Sequence, residues 1–383
     1  MRDTMSIKSQ VFIQEVCTSL SRVCWAWNRE ATQYLYEDIR LDSVQNIEAL
    51  IVTLSTRTER SERLRSYIAR LDLLAPNLKW IWTPDDPPLA THLCKLAPNL
   101  KTLVSTINRH DELRAMPDVL PPNLERLCFV DSFALPGQAW TSFLDTHPQL
   151  LSVNMPTLSD CDLMGKGRSY PYLQELLFDA GICSVEDYTS ILPKFSFPNL
   201  QTLTLHSTPS YQLHHFSAFM SCLGHHLHTI HLTYGSQDEH LLPASELFPM
   251  FTEFCPNLRE VIYTLTEMLI ESQLELCAKE SEVLRGVTTF SIQMIDPPDS
   301  SGRSRMQEGD WMLVLDLAYY WAGRLPDLEK ICFSEETNVD TLRERSHADE
   351  LQTFLDDLEL MGASRKKAIV VEDRFGQRLR VQK

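Results

Sequence analysis

The side chains with the most evident capacity for chemistry are histidines. Of the twelve in this 383-residue chain, seven fall between His206 and His231, namely His206, His214, His215, His225, His226, His228 and His231. Gathered imidazoles hold zinc or copper when cysteine or carboxylate completes the ligand set. No such ligand stands at standard spacing here, so the group reads as a polar, partly exposed patch. The run Met164-Gly165-Lys166-Gly167-Arg168 joins glycine to basic residues. A phosphate loop also needs an earlier glycine and a following Ser or Thr, so this run reads as a turn. Asp85-Asp86 and Glu335-Glu336 have no base or nucleophile beside them and read as solvated charge. Dinucleotide, P-loop, nucleophile-elbow, zincin and EF-hand patterns are absent. The expectation is a protein that is not an enzyme, with no catalytic residue, no metal and no cofactor.

The charge balance narrows the partners. Lys and Arg number 35 against 52 Asp and Glu, a formal charge of -17. Such a surface repels phosphate backbones and anionic lipid, which argues against nucleic acid and membrane and, by steering, favours a basic protein partner. Residues 1–10 lack the apolar run of a secretory signal, and nowhere do eighteen apolar residues run together. Ten cysteines form no C-x-x-C pair, and Cys128 and Cys332 sit inside strand-like segments. Reduced thiols and a cytoplasmic or nuclear location are the resulting expectations.

The elements that must position any working residue are set by a repeat. Pro76-Asn77-Leu78 recurs as Pro98-Asn99-Leu100, Pro122-Asn123-Leu124, Pro148-Gln149-Leu150, Pro171-Tyr172-Leu173, Pro198-Asn199-Leu200, His225-His226-Leu227, Pro256-Asn257-Leu258, a weak unit at Val287, and Pro326-Asp327-Leu328. Three residues after each leucine, or after Val287, stands another apolar residue: Ile81, Leu103, Leu127, Val153, Leu176, Leu203, Ile230, Val261, Phe290 and Ile331. Further apolar residues two positions on, Phe129 to Phe333, make the alternation of a half-buried strand, with Thr83 and Ser105 in the first two units. Helix-like stretches at 139–146, 185–192, 216–223 and 244–254 precede several strands, and where the unit opens with proline that residue stops the helix. Most of the spacings lie in or near the range of leucine-rich repeats. The predicted fold class is therefore α/β: an irregular leucine-rich-repeat solenoid of about ten parallel strands with return helices, over residues 76–340. The segment 296–309 reads as a surface loop. Residues 350–361 read as an amphipathic helix, with Leu351, Phe354, Leu355 and Leu358 on one face, that opens a C-terminal region (341–383) ending in a basic tail.

In that register the outward positions line a broad concave face, the usual place for a protein ligand. They include Trp80, Trp82, Arg126, Asn154, Glu175, Asp179, His206, His231, Glu260 and Gln293. Trp80 and Trp82 read either as contact anchors, since aromatics supply much of the energy at interfaces, or as cover for the first repeats. His206 and His231 are expected to point outward on neighbouring strands.

Upstream of the repeats, Leu20, Val23, Cys24, Trp27 and Ala31 recur at helical spacing and are followed by Tyr34-Leu35-Tyr36 and Ile39-Arg40-Leu41. This stretch resembles the second half of an F-box. Together with the repeats it resembles the F-box/leucine-rich-repeat proteins abundant in mushroom-forming fungi. The Leu-Pro-x-Glu stretch that opens the family's motif is missing, so residues 1–42 read as an N-terminally truncated F-box-like segment, with 43–75 as a connecting helix or first cap. The resemblance implies a non-catalytic adaptor of a Skp1-cullin-F-box (SCF) ubiquitin ligase. Leu20, Val23, Cys24, Trp27, Leu35 and Tyr36 would dock Skp1, and the repeats would choose an unknown client protein. Two alternatives stay open at the residue level: that the aromatic residues of this segment serve only to cap the repeat core, and that the chain is a Skp1-independent interaction scaffold.

Overall fold

The computed structural model describes residues 16, 19, 25–74, 89–106, 118–129, 134–135, 137–154, 157–158, 168–179, 195–206, 217, 220–233, 244–265, 283–294, 308–333, 348–365, 367–373 and 375–379. The chain divides into two compact units, residues 1–173 and 174–383.

The proline motif explains itself at the level of one turn. In Ala97-Pro98-Asn99-Leu100 the Leu100 N–H donates to the Ala97 carbonyl at 3.2 Å, and Leu150, Leu200 and Leu258 donate in the same way to His147, Phe197 and Cys255. This is a β-turn with proline at its second position, where a fixed φ is an asset. The asparagine then ties one turn to its neighbour. Asn99 Nδ2 donates to the Ser66 carbonyl and Asn257 Nδ2 to the His225 carbonyl, each at 2.8 Å. After the turn, two successive N–H groups share one carbonyl of the preceding unit, as Arg259 and Glu260 do with His228.

Each turn leads into a short parallel strand. In the first unit these are β1 (Asp38–Leu41), β2 (Arg70–Leu73), β3 (Thr102–Ser105), β4 (Arg126–Phe129) and β5 (Ser152–Asn154), adjacent in chain order. The second unit holds β6 (Glu175–Asp179), β7 (Thr202–His206), β8 (Thr229–Thr233), β9 (Glu260–Leu265), β10 (Thr289–Met294), β11 (Lys330–Phe333) and β12 (Val370–Asp373), again in order and parallel. Ladder register stacks Leu203, Ile230, Val261, Phe290 and Ile331 into one buried row, and Leu205, Leu232, Tyr263, Ile292 and Phe333 into a second. The turn residues Leu200, Leu227, Leu258, Val287 and Leu328 make a third. Each fully buried Leu, Ile or Phe contributes about 1.5–3 kcal/mol, so stacked rows are what hold one unit on the next.

Helices return the chain between strands. In the first unit they are α1 (Trp25–Glu37), α2 (Val44–Ser55), α3 (Glu59–Tyr67), α4 (Leu89–Lys95) and α5 (Gly137–Thr146). The second unit has α6 (Ala244–Phe254), α7 (Glu308–Arg324) and α8 (Ala348–Arg365). Ser43 caps α2 by accepting from the Asn46 N–H, and Thr58 with Ser61 forms a reciprocal capping box on α3. Arg65 donates to the Leu54 carbonyl at the end of α2. Arg365 does the same for α7, reaching the carbonyls of Ala322, Gly323 and Leu325 at 2.9–3.1 Å. These guanidinium groups satisfy orphan carbonyls at helix C-termini, where positive charge is also favoured.

The parallel α/β repeat matches the sequence expectation, and α8 buries Leu351, Phe354 and Leu358 as its pattern requires. The start and end of the series differ. Strands β1 and β2 already carry the alternation, through Ile39 and Leu41, then Leu71 and Leu73, without a Pro-x-Leu header. Strand β2 pairs directly with β3, Leu71 opposite Leu103, so no strand from the Pro76 unit stands between them. Residues 75–88 lie outside the described residues, as do helix candidate 185–192 and most of loop 296–309; Glu308 and Gly309 instead open α7. At the other end, the expected basic tail supplies β12 and a hairpin. The Asp373 carboxylate accepts from the N–H groups of Phe375 and Gln377, Gly376 takes φ 75°, and Leu379 N–H donates back to Val371. The chain thus pairs with the outer edge of its own last strand and protects it from other strands.

One turn in the second unit departs from the proline motif and relies on close contact. Gly224 precedes His225-His226-Leu227, and a Cβ there would stand 2.6 Å from the Phe254 carbonyl oxygen and 2.8 Å from Cys255 Sγ. Cys255 is itself buried, and burial pushes its thiol up to about 12, so it packs as a neutral apolar group. Gly224→Ala is expected to cost about 1–3 kcal/mol through overpacking. Urea unfolding checks this, and an unchanged midpoint would mean that the Phe254–Cys255 turn yields freely.

Candidate recognition surface

Because side chains alternate along a strand, burying one set leaves the other on the opposite face of the sheet. In the second unit that face carries Glu175, Thr202, Thr229, Glu260, Thr289 and Lys330 in one row. The next row holds Leu177, Thr204, His231, Ile262, Ser291, Cys332 and Glu372.

Among the sequence-predicted residues, Arg126, Glu175, His231, Glu260 and Gln293 stand on strands and are half-buried. Asp179 and His206 are the last residues of β6 and β7 and are ladder partners, and His206 also pairs with Thr233. His231 lies opposite Thr204, two residues short of His206, so the two histidines are diagonal and not facing. The His231 ring instead shares a 2.6 Å hydrogen bond with Thr264 Oγ1. Elsewhere in the histidine group, the His225 and His226 rings stand 3.9 Å apart, and burial together with His225 lowers the pKa of His226. Among the described residues no group of three or more His, Cys, Asp or Glu stands close enough to hold a metal ion.

Asn154 is a correction. Strand register predicts that it faces a partner, but it is 4% exposed. Its Oδ1 accepts from the Phe129 N–H at 2.9 Å and its Nδ2 donates to the Phe129 carbonyl at 2.8 Å. Ladder pairing between β4 and β5 extends only as far as Val153, and the carboxamide takes over beyond it. The outward face is also closed toward the strand ends of β8 and β9, where Thr233 and Thr264 are buried. Trp80 and Trp82 lie outside the described residues.

The face also contains groups that the sequence pattern does not single out, among them the buried Ser291 and Asp72. Thr229 Oγ1 and Ser291 Oγ donate to the two carboxylate oxygens of Glu260, at 3.3 and 3.1 Å. Lys330 Nζ lies 4.0 Å from the Glu372 carboxylate. In the first unit Arg70 makes a two-bond pair with Asp72, at 2.8 and 3.1 Å. Cys128 and Cys332 also face outward, and burial raises both thiols, which leaves them protonated and poorly nucleophilic.

No family model matches this chain, and no curated protein matches it. One solved structure that aligns is a yeast structure described as the crystal structure of a Rad7 and Elc1 complex, at 12% identity over 86% of this chain and 84% of that one. Its TM-score is 0.32. A likeness at that level carries no argument.

The F-box-like residues are divided between described and undescribed parts of the chain. Leu20, Val23 and Cys24 lie outside the described residues, Trp27 falls within α1, and Leu35 and Tyr36 are half-buried on the same helix. Helix α1 runs without a break into β1, and its Ala31 is buried while Tyr34 is 61% exposed. None of the described helices is long and apolar enough to cross a membrane.

Proposed function

We propose that this chain is a non-catalytic substrate-recognition adaptor of a Skp1-cullin-F-box ubiquitin ligase. In this reading its repeats are those of a leucine-rich-repeat solenoid, and their outward sheet face binds a client protein. What carries the binding half is the row of polar, half-buried side chains opposite the apolar rows of the second unit. They are ordered at strand spacing on a rigid frame, as a recognition surface requires. The ligase half is supported by the F-box resemblance of residues 20–41 and by a helix at 25–37 that leads straight into the first strand.

A second reading, a Skp1-independent interaction scaffold, is favoured by one observation. Ala31 on α1 is buried, as a helix that merely caps the repeat core would have it. Co-precipitation with Skp1 separates the two. The wild-type chain is expected to retain Skp1, and Trp27→Ala and Leu35→Ala to reduce retention roughly tenfold, the effect of losing one well-packed interface anchor. Melting temperatures of the variants exclude simple unfolding. A wild-type chain that fails to retain Skp1 leaves the scaffold reading in place.

A further inference from the structure

We infer that Glu260 on the outward face of the second unit is a receptor for a cationic side chain, an arginine or lysine, on the bound protein. The inference rests on the client-binding reading above and adds the chemistry of one contact. Glu260 is half-buried, and its two carboxylate oxygens each accept one hydroxyl hydrogen bond, from Thr229 on β8 and Ser291 on β10. The group is therefore held in one orientation by both neighbouring strands. Among the described residues it has no cation within ion-pair distance. Lys330, two strands away in the same row, lies instead beside Glu372 at 4.0 Å.

A carboxylate that is partly desolvated, oriented and without a counter-charge gains most from a cationic donor, since charge-assisted hydrogen bonds are about twice as strong as neutral ones. The surroundings suit the rest of such a side chain. Ile262 lies two residues along β9 on the same face, roughly 7 Å away, and is half-buried between His231 and Ser291. The aliphatic stem of Lys or Arg can lie over Ile262 while its charged head reaches Glu260. The flanking Thr229 and Thr289 offer no competing positive charge. The formal charge of -17 would bring a basic segment to this face by long-range attraction, and Glu260 would decide where it docks.

The test uses the full chain on an array of short peptides covering all residue types, each printed also with every Arg and Lys replaced by Gln. The wild-type chain is expected to retain a subset of peptides and to lose them roughly tenfold on that replacement. Glu260→Gln, which can keep hydrogen bonds to Thr229 and Ser291, is expected to level the two versions. Glu329→Gln removes an equal charge from an exposed residue already 2.8 Å from Lys367, and is expected to leave the preference intact. Retention of both peptide versions equally by the wild-type chain overturns the inference while leaving client binding standing. Persistence of the preference in Glu260→Gln, or its equal loss in Glu329→Gln, overturns it as well. Failure to retain any peptide counts against this inference and the client-binding reading together.

Discussion

Trp321→Ala is expected to destabilise the second unit by about 3–5 kcal/mol, in the range of large aromatic truncations in packed cores. Trp321 is 1% exposed on α7, and its ring centroid lies 4.9 Å from Phe290, 5.1 Å from Phe248 and 5.2 Å from Tyr263. Phe290 stacks on it at 13°, while Phe248 meets it edge-on at 67°. One indole thus joins a helix α7 side chain to strands β9 and β10 and to helix α6, so its removal opens a cavity touching four elements. For a unit of this size the loss corresponds to a fall in melting temperature of roughly 6–20 °C. The indole N–H is buried and has no hydrogen-bond partner among the described residues. Trp321→Phe therefore sacrifices ring volume but no hydrogen bond, and is expected to cost less than Trp321→Ala. Tyr319→Ala, 41% exposed on the same helix, is the control and is expected to stay within about 0.5 kcal/mol. Thermal and urea unfolding followed by circular dichroism read all three. A melting temperature for Trp321→Ala within about 2 °C of wild type would remove the cluster from the core.

How visible such residues are in the sequence depends on whether their role is periodic. The Pro-x-Leu turn repeats its chemistry in most copies, so Leu103, Leu203 and Ile331 fall on strands where the spacing puts them. Strands β1, β2 and β12 use the same apolar alternation, but their turns lack the proline-leucine header, and Ile68 stands where a leucine would be. Proline therefore marks the series only from Pro76 onward, although β2 already pairs directly with β3. Trp321 is hidden for a different reason. Helix α7 reads WMLVLDLAYYWAG from 311 to 323, apolar nearly all round, and its amphipathic pattern is too weak to show which side meets the sheet. Glu260 is legible as outward from strand parity alone. Its partner Thr229 holds the same repeat position on the neighbouring strand, but Ser291 is not legible, because it reaches Glu260 diagonally from the neighbouring row.

Asn154 shows where parity misleads, and Asn154→Ala is expected to lower stability by about 2–5 kcal/mol without acting on a partner directly. Alternation correctly places residue 154 opposite Val153, yet asparagine is short enough to fold its carboxamide back onto the neighbouring strand. There it both accepts from and donates to the Phe129 backbone, in a buried setting. Losing a buried hydrogen bond without a replacement costs about 1–3 kcal/mol, and the substitution removes two. Asn154→Asp separates the two bonds, since a carboxylate can still accept from the Phe129 N–H but opposes the Phe129 carbonyl with negative charge. It is expected to destabilise at least as much as alanine does, because a buried charge without a partner is strongly disfavoured. Amide hydrogen exchange localises the effect, with Phe129 losing protection in both variants before residues of β2 do. Should Asn154→Ala leave Phe129 protection and the unfolding midpoint unchanged while weakening client binding, the residue would belong on the recognition surface after all, and the carboxamide bridge would be incidental to the fold.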